Sequence, residues 1–200
     1  MRNPRLFSYV VDHDTGDAPN PYFGICTLCR CKYRDSPRKP RNVVELAEPR
    51  DWVVGTGGAD RKKSAGHHKL IYAMKVEQKI TRGEYFRNRA FACKRPSIKN
   101  GDIHSRGDNL RPANQFEDKK QFVLISRRRF YYFGDKPMTI PMEKFPHLEK
   151  RGPGFRSDFN AEYIKNFEKW ITGHKSGKHG SPCKQQSSEK RSGRRCKSSC

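Results

Sequence analysis

The residues best equipped for chemistry fall into three groups. The first is Gly55-Thr56-Gly57-Gly58, followed by Arg61, Lys62 and Lys63 and then by Gly66-His67-His68. Glycines leave backbone N–H groups accessible, and the three cations beside them make a surface that a phosphate can approach. Ser126-Arg127-Arg128-Arg129 is a second cation cluster after a strand, with Arg127 and Arg128 suited to phosphates. The third group could read a base. Trp52, Tyr72, Tyr9 and Tyr131 supply planes on which a base can stack, worth about 1–3 kcal/mol each. Asn20 sits in the proline-rich block Ala18-Pro-Asn-Pro-Tyr-Phe-Gly and offers a donor and an acceptor together. Each group has a plainer reading: aromatics packed beneath a sheet, an asparagine fixing a turn, or a solvated basic face.

Further polar candidates are Cys26, Asp51, Asp108 and Asn109. Cys26 could act as a nucleophile with His13 or His67 as its base, although the sequence brings none of them together. Cys26-x-x-Cys29-x-Cys31 falls short of a zinc site, because structural zinc takes four ligands and the domain has no second pair. No metal and no cofactor are expected. The order Gly-x-x-x-x-Gly-Lys-Ser/Thr is absent, as are Gly-x-Gly-x-x-Gly, Gly-x-Ser-x-Gly and His-Glu-x-x-His, which removes support for ATP hydrolysis, dinucleotide redox chemistry and the commoner hydrolases.

The elements that would position these residues are mostly strands. Trp52 to Thr56 and Lys69 to Val76 read as an antiparallel pair, with Leu70, Tyr72, Met74 and Val76 on one face of the second strand. Arg5 to Asp12, Tyr22 to Leu28, Val43 to Ala47, Gln121 to Ser126 and Arg129 to Phe133 add further extended segments. Thr81-Arg-Gly-Glu fits a capping box opening a short helix to about Arg89. Asp158 or Asn160 caps a last helix whose Phe159, Tyr163, Ile164, Phe167, Trp170 and Ile171 share a face, ending at Gly173. Residues 94–120 read as a long loop.

The 200 residues suit one domain, 1–172, and a disordered basic tail, 173–200. Forty-three Lys and Arg against 21 Asp and Glu give a net charge of +22, and only eight of those bases lie beyond residue 171, so the domain itself is basic. A polyanion is the natural partner. No apolar run reaches the roughly 18 residues of a spanning helix, no lipidation motif is present, and an intracellular, soluble protein without a membrane partner is expected. The cysteine count of seven is odd and does not suit a disulfide framework at this length.

Five blocks occur in order over about residues 5–171: Phe7-Ser-Tyr-Val-Val-Asp, Ala18-Pro-Asn-Pro-Tyr-Phe-Gly-Ile-Cys-Thr-Leu, Asp51-Trp-Val-Val-Gly-Thr-Gly, Leu70-Ile-Tyr-Ala-Met-Lys-Val, and Val123-Leu-Ile-Ser with Tyr132-Phe-Gly. Together they resemble the nucleotide modification associated domain family, second type. The resemblance implies a setting in DNA base modification and phage conflict, with modification or defence enzymes as partners. The Trp-bearing strand pair is also similar to PUA-like folds, which implies an α+β domain: a small mixed or antiparallel barrel with a packed C-terminal helix. In relatives, histidine-containing motifs are expected after Asp-Asn; here Arg111-Pro-Ala follows, so a catalytic site built on them would be inactive. Two functions follow as expectations. One is a protein that binds nucleic acid, DNA in preference to RNA, or a nucleotide. It would recognise a modified or flipped base through Asn20, Trp52, Gly55, Thr56, Gly57 and Tyr72. The other is an enzyme that installs, removes or processes a nucleotide modification.

Overall fold

The computed structural model describes residues 2–29, 42–94 and 122–184. Its main sheet is built around three buried strands, β1 (Leu6–Val11), β3 (Trp52–Gly57) and β4 (Lys69–Lys75). β1 pairs parallel with β3, and β3 pairs antiparallel with β4. β7 (Phe130–Tyr132) joins β4, and short pairings by β8 (Met138–Thr139), β9 (Phe155–Arg156) and β10 (Gly177–Lys178) complete seven strands. A second sheet has the order β2 (Cys26–Cys29), β6 (Phe122–Ser126), β5 (Gln78–Thr81).

The two sheets share one core. Phe7, Tyr9, Val53, Tyr72 and Met74 from the large sheet meet Cys26, Leu28 and Leu124 from the small one. On the other side of the large sheet, Trp52, Val54, Leu70 and Tyr131 are covered by α3 (Ala161–Thr172) through Ile164, Phe167 and Ile171. Asn160 caps α3 by accepting the Tyr163 N–H at 2.8 Å. Outside the small sheet, α2 (Arg82–Arg87) and a 3-10 turn over Arg89–Lys94 bury Tyr85 and Phe91. The capping box on α2 is present, with Thr81 and Glu84 bonding reciprocally. No described helix is long and apolar enough to cross a membrane.

The α+β class stands and the barrel does not: among the described residues the strands form two stacked open sheets. The β6–β7 connection carries the chain from one sheet to the other instead of closing a single one. Val43–Leu46 is a short helix, α1, not a strand; Asn42 accepts the Glu45 N–H at 2.9 Å and so caps a helical turn in spite of the two valines. A bulge opposite Gly55/Thr56 shifts the phase of β4. It leaves Tyr72, Met74 and Val76 on the inner face and turns Leu70 toward α3. The chain beyond α3 is not all tail. β10 pairs with β7, Ser181 and Asp135 exchange hydrogen bonds of 2.7 Å, and Lys184 N–H donates to Asp14 O at 2.9 Å, so the domain reaches past residue 172 to at least 184.

Candidate functional site: a cation-lined cleft where the two sheets join

The cleft forms where three segments leave the sheets: Pro49–Arg50, Lys75–Gln78 and the Arg127–Arg129 turn. It encloses about 410 Å³ and is lined by Arg50, Lys75, Arg127, Arg128 and Arg129 together with Glu77 and Ile125. The turn is fixed from inside by Glu77. One of its carboxylate oxygens accepts the N–H groups of Arg128 at 2.7 Å and Arg129 at 3.2 Å and the Ser126 hydroxyl at 3.3 Å. That acid is therefore used on backbone, and among the described residues Arg50, Arg127 and Arg128 enter no ion pair. Arg127 lies over the Phe91 ring, 5.1 Å from its centroid, which orients the guanidinium. Arg129 and Lys75 share Glu168 of α3, at 3.1 and 2.5 Å. Arg50 has φ +83°, a left-handed conformation rare for a side chain of its size, and its N–H donates to Val76 O at 2.8 Å.

Of the expected site residues that the structure describes, only Arg127 and Arg128 line this cleft. Arg61, Lys62 and Lys63 sit at the opposite end of the β3–β4 hairpin, a strand length of roughly 20 Å away. There Lys63 pairs with Asp60 at 2.9 Å, and the Gly58 N–H already donates to the Ser64 hydroxyl at 2.8 Å. The glycines are packing positions: a Cβ on Gly57 would stand 2.0 Å from the Gly66 carbonyl oxygen, and one on Gly55 2.3 Å from the Tyr72 ring. The Thr56 hydroxyl donates to Tyr9 O at 3.3 Å.

The aromatic candidates are core residues. Trp52 is fully buried, edge-on to Phe167 at 5.5 Å and stacked near Tyr131 at 6.3 Å, with no ring face open to a ligand. Tyr72 lies on the inner face of the large sheet with its hydroxyl 2.6 Å from that of Tyr9. Tyr132, beside Tyr72 in register, donates to the buried Asp14 carboxylate at 2.7 Å.

Asn20 is also buried. With the Tyr22 and Ile25 carbonyls it surrounds the ammonium of Lys94, itself fully buried: Lys94 Nζ donates to Asn20 O at 2.9 Å, Ile25 O at 2.9 Å, Tyr22 O at 3.2 Å and the Asn20 side-chain oxygen. Burial pushes the Cys26 thiol up to about 12 against the pull of Lys94, so the nucleophilic thiolate is scarce at neutral pH. Asp51 is a structural anchor. Burial opposes its charge, but hydrogen bonds from Arg2, from the Arg5 and Glu48 amides and from the Arg5 guanidinium outweigh this and hold the carboxyl below the usual range. Asp108 and Asn109 lie outside the described residues. Cys93 is disulfide-bonded, a bond the sequence did not suggest. Among the described residues no group of three or more His, Cys, Asp or Glu is arranged to hold a metal.

Sequence reasoning missed Arg50 and Lys75 as cleft residues, whereas Arg129 stood in the cation cluster it named. Lys75 had a usable signal, since a lone cation near the end of an apolar strand must be held by something. Arg50 had none, because its conformation is set by the turn into β3.

Fold and cleft together define a two-sheet α+β domain that gathers arginines where its sheets join. The sequence assigns it further: the chain belongs to the family described as nucleotide modification associated domain 2, which it matches over residues 3–120 and 111–190. Neither the comparison with curated proteins nor that with solved structures finds a match.

Proposed function

We propose that the protein is a nucleic-acid-binding module of a nucleotide-modification system, holding DNA in preference to RNA and reading a modified or flipped base next to the arginine cleft. The observation that carries this reading is that cleft. Its acid is used on the backbone of the turn, which leaves Arg127, Arg128 and Arg50 facing it as forked donors whose geometry matches phosphate oxygens. The net charge of +22 supports a polyanionic ligand, and the family is associated with nucleotide modification.

The test is a salt series of DNA binding with the double variant Arg127→Ala/Arg128→Ala. Losing two phosphate contacts lowers the slope of log K against log salt by about 2 and weakens binding roughly 30-fold near 0.15 M salt. An unchanged slope would overturn the assignment of phosphates to this turn.

A further inference from the structure

Among the described residues, one large apolar side chain stands exposed: Phe23, 39% accessible. Its backbone is left-handed, φ +61°, an outlier for a bulky residue, and the strain draws attention to what the ring does there. The loop carrying it is firmly held. Asn20 and Thr27 exchange backbone hydrogen bonds of 2.9 and 3.0 Å, and Ile25 N–H closes the tip on Tyr22 O at 3.3 Å. The buried Lys94 ammonium then ties together the carbonyls of Asn20, Tyr22 and Ile25 from beneath. A buried cation is costly unless its oxygens are in place, so the tip is held to one geometry. That geometry puts Phe23 into solvent rather than into the core.

The tip is close to the arginine turn. Cys26 pairs with Ser126 in antiparallel register, so the chain leading back to Phe23 and the chain leading on to Arg127 leave the small sheet at the same end. The segment around β10 links them from the side. Ser176 donates to Arg128 O at 2.6 Å, and Lys178 places its ammonium 5.4 Å from the Tyr22 ring centroid. Tyr22 adjoins Phe23 at 6.4 Å. An aromatic plane, a cation and two arginines that enter no ion pair among the described residues therefore share one edge, the combination that single-stranded nucleic acid uses for stacking and backbone tracking.

We propose that Phe23 stacks an unpaired nucleobase of a strand whose phosphates lie on Arg127 and Arg128. This rests on the nucleic-acid reading above. The role left open by the burial of Trp52 and Tyr72 passes to a residue whose ring is accessible.

The decisive variant is Phe23→Gly, which removes the ring and relieves the left-handed backbone. The full chain is titrated with a short single-stranded oligodeoxynucleotide carrying 2-aminopurine, whose fluorescence is quenched by stacking. Phe23→Gly is expected to leave Tm unchanged or raise it by roughly 2–4 °C. It should abolish the quenching and weaken binding roughly 5- to 100-fold without altering the salt slope. Phe23→Trp should restore both signals. Wild-type quenching and affinity in Phe23→Gly, with binding weakened and its salt slope lowered in Arg127→Ala/Arg128→Ala, would overturn the stacking role and leave the phosphate reading standing. No salt-dependent binding by the wild-type chain would overturn both.

Discussion

Cations stand at both ends of the β3–β4 hairpin, at one end on its own glycine turn and at the other beside the β6–β7 turn, and the two ends arrange them differently. At the glycine end the acids meet side chains and backbone together: Asp60 takes Lys63 and accepts the Lys62 N–H at 2.9 Å, and the buried Glu149 takes the Nδ1 atoms of His67 at 2.7 Å and His68 at 3.1 Å and accepts the His68 N–H at 3.2 Å. Backbone donors there are consumed locally, since Ser64 both caps Gly58 and donates to Val11 O at 2.5 Å. At the arginine end Glu77 is aimed at amides, Asp51 binds Arg2 and Arg5, and Glu168 takes Lys75 and Arg129, which leaves Arg50, Arg127 and Arg128 lining the cleft. Guanidinium groups remain facing the cleft as a result. A count of Lys and Arg in the sequence cannot separate the two situations; what separates them is that the arginine end gathers its cations around one cleft.

The largest effect should come from removing the anchor of the arginine end. Asp51→Ala leaves the Arg5 and Glu48 amides and two guanidinium groups without their acceptor, a loss of about 2–4 kcal/mol. The lower part of that range is favoured, because Arg2 and Arg5 are 45% and 39% exposed and regain water. The pH dependence has a defined sign. The folded carboxyl lies below its ordinary value, so its stabilisation is present above the unfolded pKa, about 3.9, and fades as pH falls through the folded one. Urea unfolding of wild type and variant should differ fully at pH 7 and converge toward pH 2. A difference that persists undiminished in acid would mean that packing, not charge, anchors this end.

The glycine end gives a smaller effect of another kind. Gly57→Ala drives a Cβ against the Gly66 carbonyl and should cost about 1–3 kcal/mol of stability as the backbone shifts. The affinity of the folded fraction for DNA should not change. A tenfold loss of affinity with an unaltered Tm would show that this turn is a ligand surface after all and would erase the contrast between the ends.

The same contrast marks what could be read from sequence. β1, β3, β4, the capping box of α2 and the Asn160-capped α3 were legible, because each is fixed by local periodicity or capping. β8, β9 and β10 were not, as each has two residues and is a strand only through its partner. The barrel expectation failed because antiparallel hairpins look alike in closed and open sheets. The placing of Trp52 and Tyr72 at a base failed for a related reason: the large sheet is covered on both faces, so an aromatic in β3 or β4 is buried whichever way it points. Within the cleft, Arg127 and Arg128 were legible as a run, whereas Arg50 and Lys75 reach it through the topology of the β3–β4 pair. Phe23 was visible as part of a block, but its exposure depends on a Lys94 strut that reaches Asn20 of that block from 74 residues away.

The smallest effect is the one that tests the comparison most directly. Arg61→Ala/Lys62→Ala removes as much charge as the arginine-turn double variant, from exposed positions on the turn of the β3–β4 hairpin. If total charge governs binding, the two double variants should weaken DNA affinity alike. If the arginine end holds the phosphates, the glycine-end variant acts only through long-range attraction across roughly 20 Å, beyond the screening length of about 8 Å at 0.15 M salt. Binding should then weaken less than about 3-fold there, with the salt slope nearly unchanged, and the remaining difference should vanish as salt is raised. Stability should stay within about 0.5 kcal/mol, since neither side chain is packed in the core. Equal losses from the two variants, with equal reductions in slope, would mean that one strand of nucleic acid runs the length of the hairpin and that both ends touch its phosphates.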